Sequence, residues 1–103
     1  MKIIDFRFRP NTPEIINGIK NSSMFKATCE AIGFDKRVPQ SLPEIVADLD
    51  RRGVELCVVS GRDCETTYGF PANNNSILEF CRAYPNKFLG FWGIDPHKGM
   101  DAV

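Results

Sequence analysis

The chain has 103 residues, of which 43% are hydrophobic and 25% are charged, so its composition is that of one globular domain at most. Its 13 basic and 13 acidic residues cancel, which leaves no electrostatic basis for binding nucleic acid or an anionic membrane. No apolar run approaches the roughly 20 residues of a membrane span, and the amino terminus lacks a signal-peptide pattern. We therefore expect a cytoplasmic protein that has neither a nucleic acid nor a membrane as its partner.

Residues 2–10 are predicted to form the first strand, because charged and aromatic residues alternate along them. Side chains on a strand point to opposite faces with a period of two. One face is then wholly apolar and carries Ile4, Phe6 and Phe8. The other face becomes charged toward the carboxyl end of the strand and carries Ile3, Asp5, Arg7 and Arg9.

The two arginines at the end of this strand are the first candidate functional residues. Arg7 and Arg9 are about 6.6 Å apart along an extended strand, and parallel α/β folds place their chemistry at that end. A guanidinium group binds a carboxylate or phosphate through paired hydrogen bonds, so we interpret the two arginines as a receptor for a small anion. The alternative is a structural ion-pair network in which Asp5 or a later acidic residue neutralises them. Asp5 is expected to anchor Arg7 or neighbouring backbone rather than to act as a base.

Residues 10–40 form a long connection, and long connections at this end of a strand tend to be functional. The first of two short helices is predicted to begin at Pro13, with Thr12 as its N-cap. The second is predicted over residues 23–32 and ends at Gly33.

A capping-box pattern at Ser41 and Glu44 marks the start of the next predicted helix. Its apolar residues recur at helical spacing on one face and are Leu42, Ile45, Val46 and Leu49. Arg51 and Arg52 suit its last turn, and Gly53 is predicted to end it.

The second strand is predicted over residues 54–60, where a nearly continuous apolar run suits a strand covered on both faces. It ends close to Arg62 and Asp63, which we place on the same edge of the sheet as Arg7 and Arg9. Arg62 is a candidate substrate-binding residue, with Asp63 in a supporting role. The alternative for both is a salt bridge, either mutual or one that fixes the loop.

The remainder of the chain predicts one more helix and one more strand. Residues 64–72 are predicted as loop, and a helix runs from Asn73 or Asn74 to Pro85. Its predicted buried residues are Ile77, Leu78, Cys81 and Tyr84. The third strand is predicted over residues 88–94, and its aromatic residues Phe88, Phe91 and Trp92 are expected in the core. Asp95 fits a turn at the strand end, with a catalytic role as the alternative, and residues 101–103 resemble the start of another helix.

The cysteine and histidine content predicts no metal site within this chain. The four cysteines include no C-x-x-C pair and are Cys29, Cys57, Cys64 and Cys81. His97 is the only histidine, so a zinc site of Cys/His type is not predicted. We expect free thiols that are buried or half-buried, and a solvent-exposed His97.

The order of the predicted elements is β, α, β, α, β, which indicates an α/β fold with a parallel sheet. Three parallel strands leave two open edges and too little cover for a sheet that is apolar on both faces. A (β/α)8 barrel needs about 250 residues. We therefore expect residues 1–103 to be a single partial domain, the N-terminal portion of a longer barrel with about three βα units.

Three segments of the chain carry a family resemblance in their order and spacing. The strand Ile3-Ile4-Asp5-x-Arg7-x-Arg9-Pro10 occupies the place of an I-I-D-x-H-x-H-x-P opening. Residues 41–59 resemble a helix followed by a G-V-x-x-x-V-V strand, and residues 74–96 resemble a Y-P-x-x-F-x-G-F…D-P segment. Together these segments resemble the amidohydrolase-related (amidohydrolase 2) family over nearly the whole chain.

The resemblance implies a (β/α)8 barrel of the metal-dependent hydrolase superfamily, which also contains decarboxylases and usually uses one divalent metal such as zinc. The first two metal ligands of the family are the histidines of H-x-H, whose positions are held here by Arg7 and Arg9. A protonated guanidinium has no lone pair to donate, so no cofactor is predicted within this chain.

The function that follows is that of a hydrolase for a small carboxylate-bearing ester, lactone or amide. Arg7 and Arg9 would bind the substrate anion in place of a metal. The alternatives are a non-catalytic anion-binding barrel, a decarboxylase of the same family and an inactive fragment. A homo-oligomer is compatible with each of them.

Overall fold

A computed structural model describes residues 2–103 of the chain, which form a three-stranded parallel sheet with helices. The strands are β1 (Ile3–Phe8), β2 (Val54–Ser60) and β3 (Phe88–Phe91), and they lie in the order β1-β2-β3. The helices are α1 (Pro13–Lys20), α2 (Lys26–Ala31), α3 (Leu42–Arg51), α4 (Glu65–Tyr68) and α5 (Asn74–Ala83). Short 3-10 segments cover Ser23–Phe25, Phe34–Lys36 and Pro96–Ala102. The predicted α/β class and the parallel sheet are confirmed.

The main core lies between one face of the sheet and helices α3 and α5. Its buried residues come from both helices and from β2 and β3, and they are Ile45, Val46, Leu49, Cys57, Val59, Ile77, Phe80 and Phe88. Phe80 was not predicted as a buried residue of α5, whereas the predicted Leu78, Cys81 and Tyr84 are only half-buried. The face of α5 that packs against the sheet is therefore centred on Ile77 and Phe80.

The long connection has a small core of its own beside the sheet. Ile16 of α1, Cys29 of α2 and Phe34 form this second cluster. All four cysteines are free, with Cys29 and Cys57 buried and the other two half-buried, as the sequence predicts. Burial raises the pKa of the Cys57 thiol to about 11, with a smaller contribution from the nearby Asp5 carboxylate, so this thiol is protonated at neutral pH.

Helix α3 follows its sequence pattern closely. The Ser41 backbone N–H donates to Glu44 Oε2 at 2.7 Å, and the Glu44 N–H donates to Ser41 Oγ at 3.4 Å, which completes the predicted capping box. Its three buried residues, Ile45, Val46 and Leu49, all contribute to the main core. The capping bonds satisfy backbone donors that the first helical turn would otherwise leave unpaired.

The prediction that Ile4, Phe6 and Phe8 share one face of β1 is wrong. The register pairs Asp5 with Cys57 and Phe8 with Val59, so three steps along β1 correspond to two along β2. An irregularity of this kind changes the face on which the following side chains lie. Phe8 packs into the core, with its ring centroid 6.2 Å from that of Phe88, whereas Ile4 and Phe6 are exposed.

The end of the chain also departs from the sequence prediction. Strand β3 ends at Phe91 rather than at residue 94, and Phe91 and Trp92 are exposed rather than in the core. Because β3 is an edge strand, Phe91 lies on the sheet face that no described helix covers, and Trp92, just beyond the strand, lines an open surface groove beside α5. The predicted loop over residues 64–72 contains the short helix α4. The predicted helix start at residue 101 lies instead in 3-10 turns with a break at Gly99.

The sheet face that points away from α3 and α5 is referred to here as the open sheet face. It is formed by exposed side chains of the two edge strands, namely Ile4, Phe6, Leu89 and Phe91. No helix within residues 2–103 is long and apolar enough to span a bilayer.

Replacement of Ser41 by alanine is expected to lower the free energy of unfolding by about 1 kcal/mol, because the capping hydroxyl is lost. Urea denaturation followed by circular dichroism measures the change. Ser22→Ala is the matched control, since Ser22 occupies an N-cap position without a side-chain capping bond. Equal effects of the two substitutions would contradict a stabilising role for the capping box.

Candidate functional site

The carboxyl ends of the three parallel strands meet at one edge of the sheet, which we call the carboxyl-end rim. It comprises residues 7–9 at the end of β1, residues 61–63 after β2 and residues 92–95 after β3. All the residues predicted from the sequence to bind substrate or to support binding, except Asp5, lie on this rim. Asp5 lies within β1, two residues before Arg7.

Arg7 and Arg9 are both exposed, and neither guanidinium takes part in an ion pair within residues 2–103. Because Phe8 packs into the core, its two neighbours lie on the opposite, open side of the sheet. Asp5 Oδ1 accepts a hydrogen bond from the backbone N–H of Arg7 at 3.0 Å, so this carboxylate holds main chain rather than a guanidinium. The two guanidinium groups are therefore free to bind an anion from solvent. Because both side chains are exposed, no burial penalty obliges them to have a neutralising partner.

Arg62 sits in a more enclosed position than the β1 arginines. Its guanidinium carbon lies 4.5 Å from the ring centroid of Phe70, and its Nε is buried without a hydrogen-bond partner. Its backbone is fixed by Asn73, because Asn73 Oδ1 accepts from the Arg62 N–H at 2.5 Å and the Asn73 N–H donates to the Arg62 carbonyl at 3.1 Å. The aromatic face supplies a cation–π contact but no negative charge.

The predicted mutual salt bridge between Arg62 and Asp63 does not form. Arg62 packs on Phe70, and Asp63 pairs instead with Lys98, whose Nζ lies 2.8 and 3.0 Å from the two carboxylate oxygens. Lys98 also donates to Glu65 at 3.1 Å. The hydrogen bonds from Lys98 to Asp63, and then to Glu65, raise the pKa of the lysine. Asp63 therefore fixes the loop, which is the other structural role considered for it.

Asp95 is only 1% exposed, and backbone donors occupy both of its carboxylate oxygens. Oδ2 accepts from the Thr66 N–H and Oδ1 from the His97 N–H, each at 3.0 Å. The pKa of Asp95 lies below its ordinary value of 3.8, because Thr66 donates hydrogen bonds to the carboxylate and, to a smaller extent, because His97 does. The residue joins α4 to the loop after β3 and forms the predicted strand-end turn, while the His97 side chain is exposed as expected.

Asn74 is a structural residue of the rim that sequence reasoning missed. Its Nδ2 donates to the Gly93 carbonyl at 2.7 Å, and its Oδ1 accepts from the Gly93 N–H at 2.9 Å. A Cβ at Gly61 would lie 2.1 Å from Asn74 Oδ1, and one at Gly93 would lie 2.6 Å from Arg62 Cα. The two glycines therefore allow the loops after β2 and β3 to approach, and the Asn74 amide ties the loop after β3 to α5. The run of three asparagines at residues 73–75 was the available signal.

The rim residues do not fit the metal that the family resemblance implies. No group of three His, Cys, Asp or Glu side chains that could hold a metal ion occurs within residues 2–103. Arg7 and Arg9, which the resemblance aligns with the histidines of H-x-H, cannot donate a lone pair to a metal. The nearby Asp5, Asp63 and Asp95 are each engaged with a backbone N–H or with Lys98.

Two surface grooves lie away from the three arginines. One of about 400 Å³ is lined by the beginnings of α1 and α3 and by α5, and one of about 290 Å³ follows β3 and α5. Neither groove is lined by Arg7, Arg9 or Arg62, and the side chains of Arg7 and Arg9 are exposed at the edge of the sheet.

Comparison with protein-family models, with curated proteins and with solved structures finds no match to this chain.

Replacement of Asn74 by alanine is expected to lower the free energy of unfolding by about 1–3 kcal/mol, because the Gly93 N–H and carbonyl lose their partner. Thermal or urea denaturation gives the change. Asn75→Ala is the matched control, because the neighbouring Asn75 is exposed. A loss of similar size in both variants would show that the Asn74 bridge to Gly93 is not what stabilises the rim.

Asp95 is expected to make the protein acid-sensitive. Because its folded-state pKa is depressed, its contribution to stability is fully present above the ordinary value of 3.8 and is lost as the pH falls through the lower folded value. Unfolding free energies measured from about pH 5 down to about pH 2 should therefore fall less in Asp95→Asn than in the wild type. Asp101→Asn, which alters an exposed carboxylate on the same segment, should retain the wild-type slope. An unchanged slope in Asp95→Asn would rule out this role.

Proposed function

We propose that the chain is the first three βα units of a (β/α)8 barrel and that its carboxyl-end rim binds a small organic anion. The sequential order of the parallel strands supports this proposal, since neighbouring strands of such a barrel follow one another along the chain. Helices cover one face of the sheet, and the opposite face is apolar and uncovered. A barrel has this arrangement, with helices outside and a packed interior.

The observation that carries the anion proposal is the unbalanced positive charge of the rim. Arg7, Arg9 and Arg62 lie at the carboxyl ends of two neighbouring strands, and none of them takes part in an ion pair in the part of the chain that the structure describes. Asp63 is neutralised by Lys98, and Asp95 is held by backbone donors. Guanidinium groups suit carboxylate ligands because they donate paired, charge-assisted hydrogen bonds.

The reaction we propose is hydrolysis of an ester, lactone or amide in a small substrate that bears a carboxylate, as the amidohydrolase-related resemblance implies. Arg7 and Arg9 would orient the substrate carboxylate, and a guanidinium at the rim would stabilise the negative charge that develops on the attacked carbonyl oxygen. The base for the attacking water is supplied neither by Asp63 nor by Asp95, since both are engaged.

A non-catalytic anion-binding barrel is the second candidate, and the state of the rim carboxylates favours it. A general base has to accept a proton near neutral pH. The lowered pKa of Asp95 and its two backbone donors make that carboxylate a poor base. The protonated Cys57 thiol is likewise a poor nucleophile.

Titration of the chain with succinate, followed through the arginine side-chain NMR signals, tests the anion site. The double variant Arg7→Ala, Arg9→Ala is expected to weaken succinate binding on the order of tenfold or more, since charge-assisted hydrogen bonds are lost. Arg51→Ala, Arg52→Ala is the matched control, because it removes the same charge at the end of α3, immediately before β2. Unchanged affinity in the rim variant, or equal weakening in both, would contradict the proposal.

A hydrolysis assay on the wild type, the rim variant and the control variant distinguishes the two candidate functions. An activated ester that carries a carboxylate is compared with its uncharged analogue. Faster hydrolysis of the charged ester, lost in the rim variant, supports the hydrolase. Succinate binding without any hydrolysis supports the anion-binding barrel.

A further inference from the structure

We infer that Arg62 binds a second acidic group of the rim ligand, so that the site takes a dicarboxylate in preference to a monocarboxylate. The inference rests on the proposed anion site and names its ligand more closely. Arg7 and Arg9 bind one carboxylate at the end of β1, and Arg62 binds the other just after β2. The inference applies equally to the hydrolase and to the anion-binding barrel.

Arg62 differs from the two β1 arginines in its burial. Its side chain is half-buried, whereas those of Arg7 and Arg9 are exposed. Its guanidinium takes part in no ion pair and in no hydrogen bond within residues 2–103, and its Nε is buried. Withdrawing a charged group from water is costly unless the group is paired and hydrogen-bonded. The cation–π contact with Phe70 offsets part of this cost but leaves the N–H donors without an acceptor, and a bound carboxylate would supply one.

The surroundings of Arg62 leave one edge of its guanidinium open to a ligand. Nε is buried, whereas the terminal nitrogens Nη1 and Nη2 retain contact with solvent. Phe70 covers one face of the group, and Phe25 stacks on Phe70 with a centroid separation of 4.8 Å. Asn73 fixes the Arg62 backbone through two hydrogen bonds. A carboxylate therefore approaches end-on and accepts one hydrogen bond from each terminal nitrogen.

The two anchoring positions lie on neighbouring strands, close enough for one small molecule. Phe8 is paired with Val59, so Arg9 lies beside Ser60, and Arg62 follows two residues later. Neighbouring strands are about 4.8 Å apart and rise about 3.3 Å per residue, so the Cα atoms of Arg9 and Arg62 are roughly 8 Å apart. A short molecule with an acidic group at each end spans this distance. A monocarboxylate of the same length engages only one of the two anchors.

Titrations with succinate and with butyrate, which has a methyl group in place of one carboxylate, test this inference through the arginine side-chain NMR signals. The wild type is expected to bind succinate more tightly than butyrate, on the order of tenfold or more, because only the dicarboxylate gains charge-assisted hydrogen bonds from Arg62. Arg62→Ala is expected to abolish this preference and to leave butyrate binding unchanged, which also shows that the variant is folded. Arg62→Lys retains the charge without the paired donors and should restore only part of the preference.

Arg82→Ala is the matched control, because it removes an exposed arginine from the last turn of α5, immediately before β3. This variant should keep the wild-type preference for succinate.

Two results would overturn the inference, namely equal affinities of the wild type for succinate and butyrate, or a preference for succinate that survives in Arg62→Ala. In either case, weaker binding of both ligands to Arg7→Ala, Arg9→Ala would leave the proposed anion site standing. Loss of the preference in Arg62→Ala, with unchanged binding to the β1 double variant, would contradict the proposed function but not the role of Arg62. Absence of binding of either ligand to the wild type would contradict both.

Discussion

The structure depends on the packing of two helices against a single face of a parallel sheet. Cys57 and Val59 of the central strand β2 are fully buried beneath α3 and α5. Burial of an apolar side chain contributes about 1.5–3 kcal/mol relative to exposure, so these contacts dominate the local energetics. This arrangement has two consequences. The helices connect the strands in parallel, which places the carboxyl ends of all three at one rim, and the lack of cover on the other side leaves apolar side chains of the two edge strands in contact with water.

At the rim, hydrogen bonds and one ion-paired lysine fix the loops, whereas the guanidinium groups of Arg7 and Arg9 have no ion-pair partner within residues 2–103. Asn74 and Asp95 use their polar groups on backbone partners, and the Lys98 ammonium neutralises Asp63. These contacts hold the loops after β2 and β3 in place without involving the guanidinium groups of Arg7 and Arg9. The loops that these contacts fix follow β2 and β3, whereas Arg7 and Arg9 lie at the end of β1. The same engagement of Asp63 and Asp95 leaves the rim without an available base.

Local sequence signals were sufficient wherever neighbouring residues determine the structure. The capping box of Ser41 and Glu44 and the apolar run of β2 predicted two elements with their bounds, because capping and hydrophobic periodicity act over a few residues. The alternation in β1 predicted a strand but wrongly placed Ile4 and Phe6 on the same face as Phe8, since the irregularity in its pairing with β2 depends on a partner about 50 residues away. Strand β3 was predicted too long for a similar reason, because it is the Asn74 side chain that binds the backbone of Gly93.

The candidate site was predictable only in part. The positions of Arg7, Arg9 and Arg62 on one rim followed from strand order alone. The interaction partners of the rim residues could not be predicted in this way. The contact of Arg62 with Phe70 and the ion pair of Asp63 with Lys98 join segments that only the fold brings together. The exposure of Phe91 was missed because the sequence does not state which sheet face the helices leave uncovered, and that of Trp92 because α5 leaves the groove beside it open.

The central claim is that β1 turns Phe8 toward the helices and thereby leaves Arg7 and Arg9 on the open side of the rim. Nuclear Overhauser effects from the two phenylalanine rings of β1 test it most directly. The account predicts contacts from the Phe8 ring to Val59 and Phe88 and none from the Phe6 ring to the main core. Contacts from Phe6 to Ile77 or Phe80, with Phe8 in solvent, would reverse the faces of β1 and contradict the account.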